Sequence, residues 1–200
     1  MLKRIILLAF VFILIPFVRS HVTSVSAAAV DERFGLFYSS LGSYGEWIEV
    51  NGGLRVWHPI GVSAEWRPYL LGRWVWTDYG WYWVSSEPFG WATYHYGRWY
   101  FDDYYGWVWL PDDVWGPGWV EWRNDDSYIG WAPLPPYATF SVTVGIRFTR
   151  AWAAPPHYWN FVTYRNFGGP IEYRTVVGRE YVERLLPRTR ASQLLIQAGV

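Results

Sequence analysis

Two hundred residues with no formal net charge leave room for one domain, an export leader and a small appendage, and argue against two large domains. Aromatics supply 22% of the chain, with 17 Trp among them, while charged residues supply 17%; this is far more ring surface than an ordinary globular core uses, and not the composition of a disordered chain. The absence of Cys excludes disulfides, cysteine nucleophiles and thiolate metal sites, so stability must come from packing.

The chain opens with Lys3 and Arg4, then the apolar run Ile5 to Val18, then a polar stretch ending in Ala27-Ala28-Ala29. This order is that of a secretory signal peptide over residues 1–29, cleaved after Ala29. The apolar run is interrupted by Pro16 and falls short of the roughly 20 residues needed to span a bilayer, so no transmembrane span is expected after cleavage. Cleavage removes Lys3, Arg4 and Arg19 and leaves a mildly acidic chain whose cations are all Arg. Acids outnumber Arg as far as Ile146, and Arg outnumbers acids from Arg147 onward. The basic end reads first as a solvated surface, with attraction between the halves or contact with an anionic surface as the alternatives.

After a lead-in over 30–43, residues 44–150 carry a repeated aromatic pattern. Gly72-Arg73-Trp74-Val75-Trp76-Thr77-Asp78-Tyr79-Gly80-Trp81-Tyr82-Trp83 alternates, turns at a Gly and alternates again, the pattern of a β-hairpin. A turn over Thr77–Gly80 sets Trp76 opposite Trp81 and Trp74 opposite Trp83, on one face of the pair. Gly97 to Trp109 repeats the pattern with a turn one residue longer, setting Trp99 and Phe101 against Trp107 and Trp109. A degenerate first copy begins at Gly45, and aligning Gly45, Gly72 and Gly97 gives a period of 25 to 27 residues. A diverged last copy runs through Trp115–Trp122 and Tyr128–Trp131, then leaves through Ala132-Pro133-Leu134-Pro135-Pro136, which has too few amide donors for a central strand.

Beyond it, Phe140, Val142, Val144, Ile146 and Phe148 alternate with small or polar residues and predict one strand closing or edging the sheet. The C-terminal extension 151–200 predicts a loop through Pro155-Pro156 into a strand near Asn160–Val162, and a second strand over Tyr173–Val177. Short helical turns are expected at Arg179–Leu186 and Ala191–Gln197. The fold class is all-β, a meandering antiparallel sheet of aromatic hairpins with a small mixed C-terminal segment.

More rings are present than one sheet can bury, since each removes about 150 to 250 Å² from water. Trp74, Trp76, Trp81, Trp83, Trp107 and Trp109 are the expected structural core. Tyr94, Tyr96, Trp99, Tyr104 and Tyr105, near turns, are the candidate binding aromatics, because an exposed apolar strip marks a contact surface. Arg67, Arg73 and Arg98 are expected to stack internally or to pair with Asp78, Asp102 or Asp103, with anion recognition as the sharper alternative. The doublets Asp102-Asp103, Asp112-Asp113 and Asp125-Asp126 lack a calcium-loop pattern and read as turn residues. His58, His95 and His157 are isolated, and no metal, cofactor or catalytic residue is assigned. The acidic repeat region speaks against nucleic acid, and strands of five or six residues are too short for a membrane barrel, which needs about 9 to 11.

Gly-Arg-Trp at 72 and 97, Gly-Trp-x-Trp at 80 and 106, Glu87-Pro88-Phe89-Gly90-Trp91, Tyr94-His95-Tyr96-Gly97-Arg98-Trp99 and Gly130-Trp131-Ala132-Pro133-Leu134-Pro135-Pro136 together resemble the Trp-rich exported bacterial family catalogued as domain of unknown function 6600. The likeness covers about Val56 to Phe167. It implies export and a β-rich domain and supplies no activity. The expected role is an exported, non-enzymatic structural or interaction protein of the periplasm or cell surface. It would contact an envelope protein or glycan through exposed aromatics. The alternatives are a module binding peptidoglycan or polysaccharide by ring stacking, and a glycan-active hydrolase with a carboxylate pair drawn from Glu65, Glu87 and Glu121.

Overall fold

The computed structural model describes residues 35–50, 53–141, 145–148 and 152–192; the expected leader and the start of the lead-in lie outside the described residues. Among the described residues antiparallel β-structure dominates and helix is confined to short pieces, as the alternating pattern predicts. The four expected hairpins form: β1 (Gly45–Val50) with β2 (Leu54–Pro59), β3 (Gly72–Thr77) with β4 (Gly80–Ser85), β5 (Arg98–Asp102) with β6 (Gly106–Leu110), and β7 (Val120–Asn124) with β8 (Tyr128–Pro133). Trp74 faces Trp83 and Trp76 faces Trp81, while Trp99 faces Trp109 and Phe101 faces Trp107, the register expected from the two turns. The turns close at Gly80 (φ 90°) and Gly106 (φ 75°), backbone conformations that favour glycine.

Glycine also opens strands for a packing reason. A Cβ on Gly72 would lie 2.4 Å from the Val84 carbonyl and 2.7 Å from the Trp83 ring, so the indole of the partner strand rests where a side chain would be.

The hairpins are distributed over separate sheets. One sheet runs β1-β2-β6-β5, β3-β4 stands as a two-stranded unit, and β11 (Asn160–Thr163), β8, β7 and β12 (Arg190–Ala191) form another in that order. The expected single strand over 140–148 is instead two antiparallel strands, β9 (Ala138–Ser141) and β10 (Gly145–Phe148), with Ser141 opposite Gly145. An alternating pattern reads the same on both arms of a hairpin, so periodicity does not reveal the reversal; Val142 and Val144 lie outside the described residues. Tyr173–Val177 forms turns, not a strand, closed by the Thr175 amide on the Glu172 carbonyl at 2.9 Å and by the Thr175 hydroxyl on the same carbonyl. Ala191 pairs with Arg123 in β12 and does not begin a helix, and 193–197 lie outside the described residues.

Three helical pieces escape the alternation reading: α1 at 35–41, α2 (Gly90–Thr93) and α3 (Tyr164–Phe167); the expected turn at Arg179 is present as α4 (Arg179–Leu185). A turn of 3₁₀-helix at Pro156–Tyr158 leads into β11.

One aromatic core joins these units. Trp57, Trp99 and Trp109 from the first sheet, Trp74 and Trp83 from β3-β4, and Trp122, Trp131 and Phe161 from the third are all buried in it. Tyr69 ties the parts together. Its backbone sits at φ 60°, costly for an aromatic residue. Four hydrogen bonds hold it there: its hydroxyl donates to the Tyr94 carbonyl (3.0 Å) and accepts from the Trp119 amide (3.0 Å), and its carbonyl accepts from Trp131 Nε1 (3.0 Å) and Asn160 Nδ2 (3.2 Å).

Candidate functional site

The β5-β6 turn builds the most exposed aromatic pair. Asp102 Oδ1 accepts the amides of Tyr104 (2.9 Å) and Tyr105 (3.0 Å), an Asx arrangement that curls the turn and leaves both rings outside. They meet edge to face at 4.7 Å, and Tyr104 is 85% exposed. Below them Phe101 lies edge-on to Trp107 at 5.6 Å and to His157 at 4.9 Å. His157 reaches this place because the Pro156–Tyr158 turn docks on β5: the Phe101 amide donates to the Tyr158 hydroxyl at 2.7 Å, and the Tyr158 ring packs on Trp107 at 4.5 Å.

Beside this hairpin runs a groove of about 510 Å³ lined by Trp66, Phe101, Tyr105 and Trp107, with His58, Ser63, His157 and Arg179 as its polar groups. Its wall is mainly apolar, with a few polar groups. Trp66 is fixed from behind by Glu87, whose carboxylate accepts Trp66 Nε1 at 2.6 Å and also the Tyr94 hydroxyl. Burial pushes the Glu87 carboxyl up to about 7, against the opposing effect of its donors Tyr94, Trp66 and Ser85. Burial, with Arg179 as a secondary cause, lowers the His157 pKa, so this imidazole favours its neutral form.

A second cleft of about 530 Å³ adjoins the groove and shares Arg179 with it; Arg67, Arg184, Tyr173, Tyr181, Glu65 and Glu180 also line it. Ser63 of the groove donates to the Tyr173 hydroxyl of the cleft at 2.9 Å. Arg67 is buried, and desolvation followed by the like charge of Arg179 brings its pKa down to about 10.

The expected aromatics divide. Tyr104 and Tyr105 are exposed as predicted, but Tyr94 and Trp99 are core residues and Tyr96 is half-buried. The correction has a local cause: α2 turns the 90–96 segment inward, setting Tyr94 against Tyr69 at 4.6 Å, while Tyr96 lies on Phe37 of α1 at 5.6 Å. Trp99 lies on the strand face that meets Trp66 at 5.4 Å. Of the expected core, Trp74, Trp83, Trp107 and Trp109 are buried, Trp81 is half-buried under Phe167 at 4.8 Å, and Trp76 is 56% exposed. Trp76 stands toward the hairpin tip, past the edge of what the core covers.

Sequence reasoning did not select a second exposed pair, in which Tyr79 meets Trp115 at 5.3 Å, beside half-buried Tyr82 stacked on buried His95 at 4.4 Å. The turn position of Tyr79 was the available signal. Arg98 stacks on Trp119 at 3.3 Å, as expected of an internal arginine, and Arg73 is exposed. Asp102, Asp112 and Asp125 all accept local backbone amides, the turn role expected of them. Glu121 accepts Trp152 Nε1 at 3.2 Å and, among the described residues, shares no partner with Glu87. Among the described residues no helix is long and apolar enough to cross a membrane.

Fold and site together define a Trp-rich, all-β module of antiparallel hairpins with an aromatic groove on one flank. The chain belongs to the Family of unknown function (DUF6600), whose model matches residues 38–138. That match takes in all four aromatic hairpins and stops before the Trp159–Phe167 motif. No curated protein and no solved structure matches the chain.

Proposed function

We propose that the protein is an exported, non-enzymatic binding module of the periplasm or cell surface, contacting an envelope partner through the aromatics around the β5-β6 hairpin. The observation that carries this reading is the exposed Tyr104/Tyr105 pair at the mouth of a groove walled by Trp66, Phe101 and Trp107. Rings left in water at a hairpin tip contribute little to folding, and an apolar strip of this kind is a contact surface. Export rests on the order of charge, apolar run and Ala27–Ala29 in the leader.

A second reading narrows the partner to a glycan. It is favoured by the concavity of the groove, because a sugar ring presents an apolar face to indole and phenol while its hydroxyls need the few polar groups that His58, Ser63 and His157 supply. The experiment is a pull-down of the purified mature chain on isolated cell-wall and polysaccharide fractions. Tyr104→Ala and Tyr105→Ala together should reduce retention several-fold with an unchanged melting temperature. Unchanged retention would sink the reading, and release of soluble sugars that vanishes in Glu87→Gln or Glu121→Gln would overturn the non-enzymatic assignment. Edman sequencing of protein from the cell envelope tests export, with Val30 expected and an intact Met1 or Leu2 terminus counting against cleavage.

A further inference from the structure

We infer that the groove and the adjoining arginine cleft form one site for an anionic glycan, with a sugar ring against Tyr105, Phe101 and Trp107 and its carboxylate or phosphate between Arg67, Arg179 and Arg184. This rests on the glycan reading above and adds to it the charge of the ligand.

The two cavities are joined by shared structure. Arg179 lines both, and the Ser63–Tyr173 hydrogen bond links one wall to the other. Arg67 points to the ligand's sign. It is 5% exposed, yet among the described residues its hydrogen bonding is limited to a 3.5 Å contact from Nη1 to the Glu65 carbonyl, at the limit of what counts as bonding, and its Nε has no partner there. Arg98, equally buried and likewise without a partner at Nε, differs in the rest of its guanidinium, which lies on the Trp119 ring and donates to the Gly97 carbonyl at 2.8 Å and the Ala138 carbonyl at 3.4 Å. A buried cation with no ion pair is unfavourable, the like charge of Arg179 makes it more so, and Glu65, exposed and outside ion-pair distance, only partly compensates. An incoming anion offsets the charge on both arginines.

Glu65 and Glu180 line the same cleft and are exposed, but among the described residues neither lies within ion-pair distance of Arg67, Arg179 or Arg184. Three guanidiniums against two carboxylates leave the cleft cationic in a chain with no overall charge. Guanidinium forks match carboxylate and phosphate oxygens in pairs, which a neutral sugar does not offer.

The test is affinity electrophoresis of the mature chain in gels containing polygalacturonate, its carboxyl-reduced neutral counterpart, or a phosphomannan. Wild-type protein should bind at least one charged polymer about tenfold more tightly than the neutral one, a margin typical of one or two charge-assisted hydrogen bonds. Which charged polymer is preferred tells carboxylate from phosphate. Arg179→Gln with Arg184→Gln, both at exposed positions, should abolish most of that preference with the near-ultraviolet circular dichroism unchanged, and Arg184→Gln alone, at a residue that lines the cleft and not the groove, should reduce it in part. Tyr105→Ala should weaken all binding. Equal retention of charged and neutral polymers by the wild type overturns the anionic inference and leaves the glycan reading standing. Binding of the charged polymer undiminished by Tyr105→Ala overturns the joined site, and no retention of any polymer sinks both inference and glycan reading.

Discussion

The β3-β4 and β5-β6 hairpins share a local pattern, Gly-Arg-Trp entering and Gly-Trp-x-Trp leaving, and have different surroundings. At the base of each, the cross-strand indole pair is buried: Trp74 with Trp83, Trp99 with Trp109. Toward the tips they diverge. Trp107 is buried under the His157–Tyr158 turn, with Phe101 edge-on to His157 and still 40% exposed, and the turn makes that hairpin's flank a groove, whereas Trp76 has Trp81 beside it at 5.4 Å and solvent above. Alternation determines which residues share a face; burial depends on what distant chain is laid over that face.

The comparison breaks first at the bases. Trp83→Ala removes a ring with no exposed surface that touches Tyr69, Trp74, Tyr94 and Trp131, and a loss of about 3 to 5 kcal/mol is expected in urea unfolding. A loss below about 1 kcal/mol would mean that β3-β4 does not seat on the core. Trp109→Ala should cost about the same, since the bases are the part the hairpins have in common.

Next in size is the covering of β5-β6. Tyr158→Phe removes the hydroxyl that accepts the Phe101 amide and should destabilise by about 1 to 2 kcal/mol, with faster hydrogen exchange at Phe101 and none of that change in β3-β4. Uniform acceleration across both hairpins would show that the turn supports the whole fold and not one hairpin.

A pH-dependent effect of several degrees should follow from Glu87 behind the groove. Its folded-state pKa, about 7, lies above the ordinary carboxylate value of 4.5, so the folded chain binds the proton more tightly than the unfolded chain. That contribution is complete below about pH 4.5 and is lost as pH rises through about 7. Glu87→Gln should flatten the decline of melting temperature over this window, and an unchanged slope would assign the decline to other groups.

The smallest effects belong to the uncovered tip. Trp76→Ala, expected from its register to be a core loss, should cost about 1 kcal/mol or less and resemble Tyr79→Ala, because more than half of the Trp76 surface is already in water. A loss near that of Trp83→Ala would place a partner or a second copy on the exposed indole.

The sequence by itself determined the local structure: hairpin positions, strand register, glycine turns and the turn role of the aspartates. These depend on a period of two and on residues within a few positions of one another, and they were legible without any tertiary information. Tyr104 and Tyr105 were legible too, because Asp102 and Gly106 place them on a turn. Tertiary structure alone decided that Tyr94 and Trp99 are core and Trp76 is not, and that alternation over 140–148 is a hairpin. It alone gathered Arg67, Arg179, Tyr105 and His157 around two cavities that share Arg179. The physical reason is that alternation assigns a side chain to a face but carries no information about which segment covers it. With 17 Trp along the chain, nearly every face is apolar enough to be core, so hydrophobicity does not discriminate among them and only the packing of distant segments does.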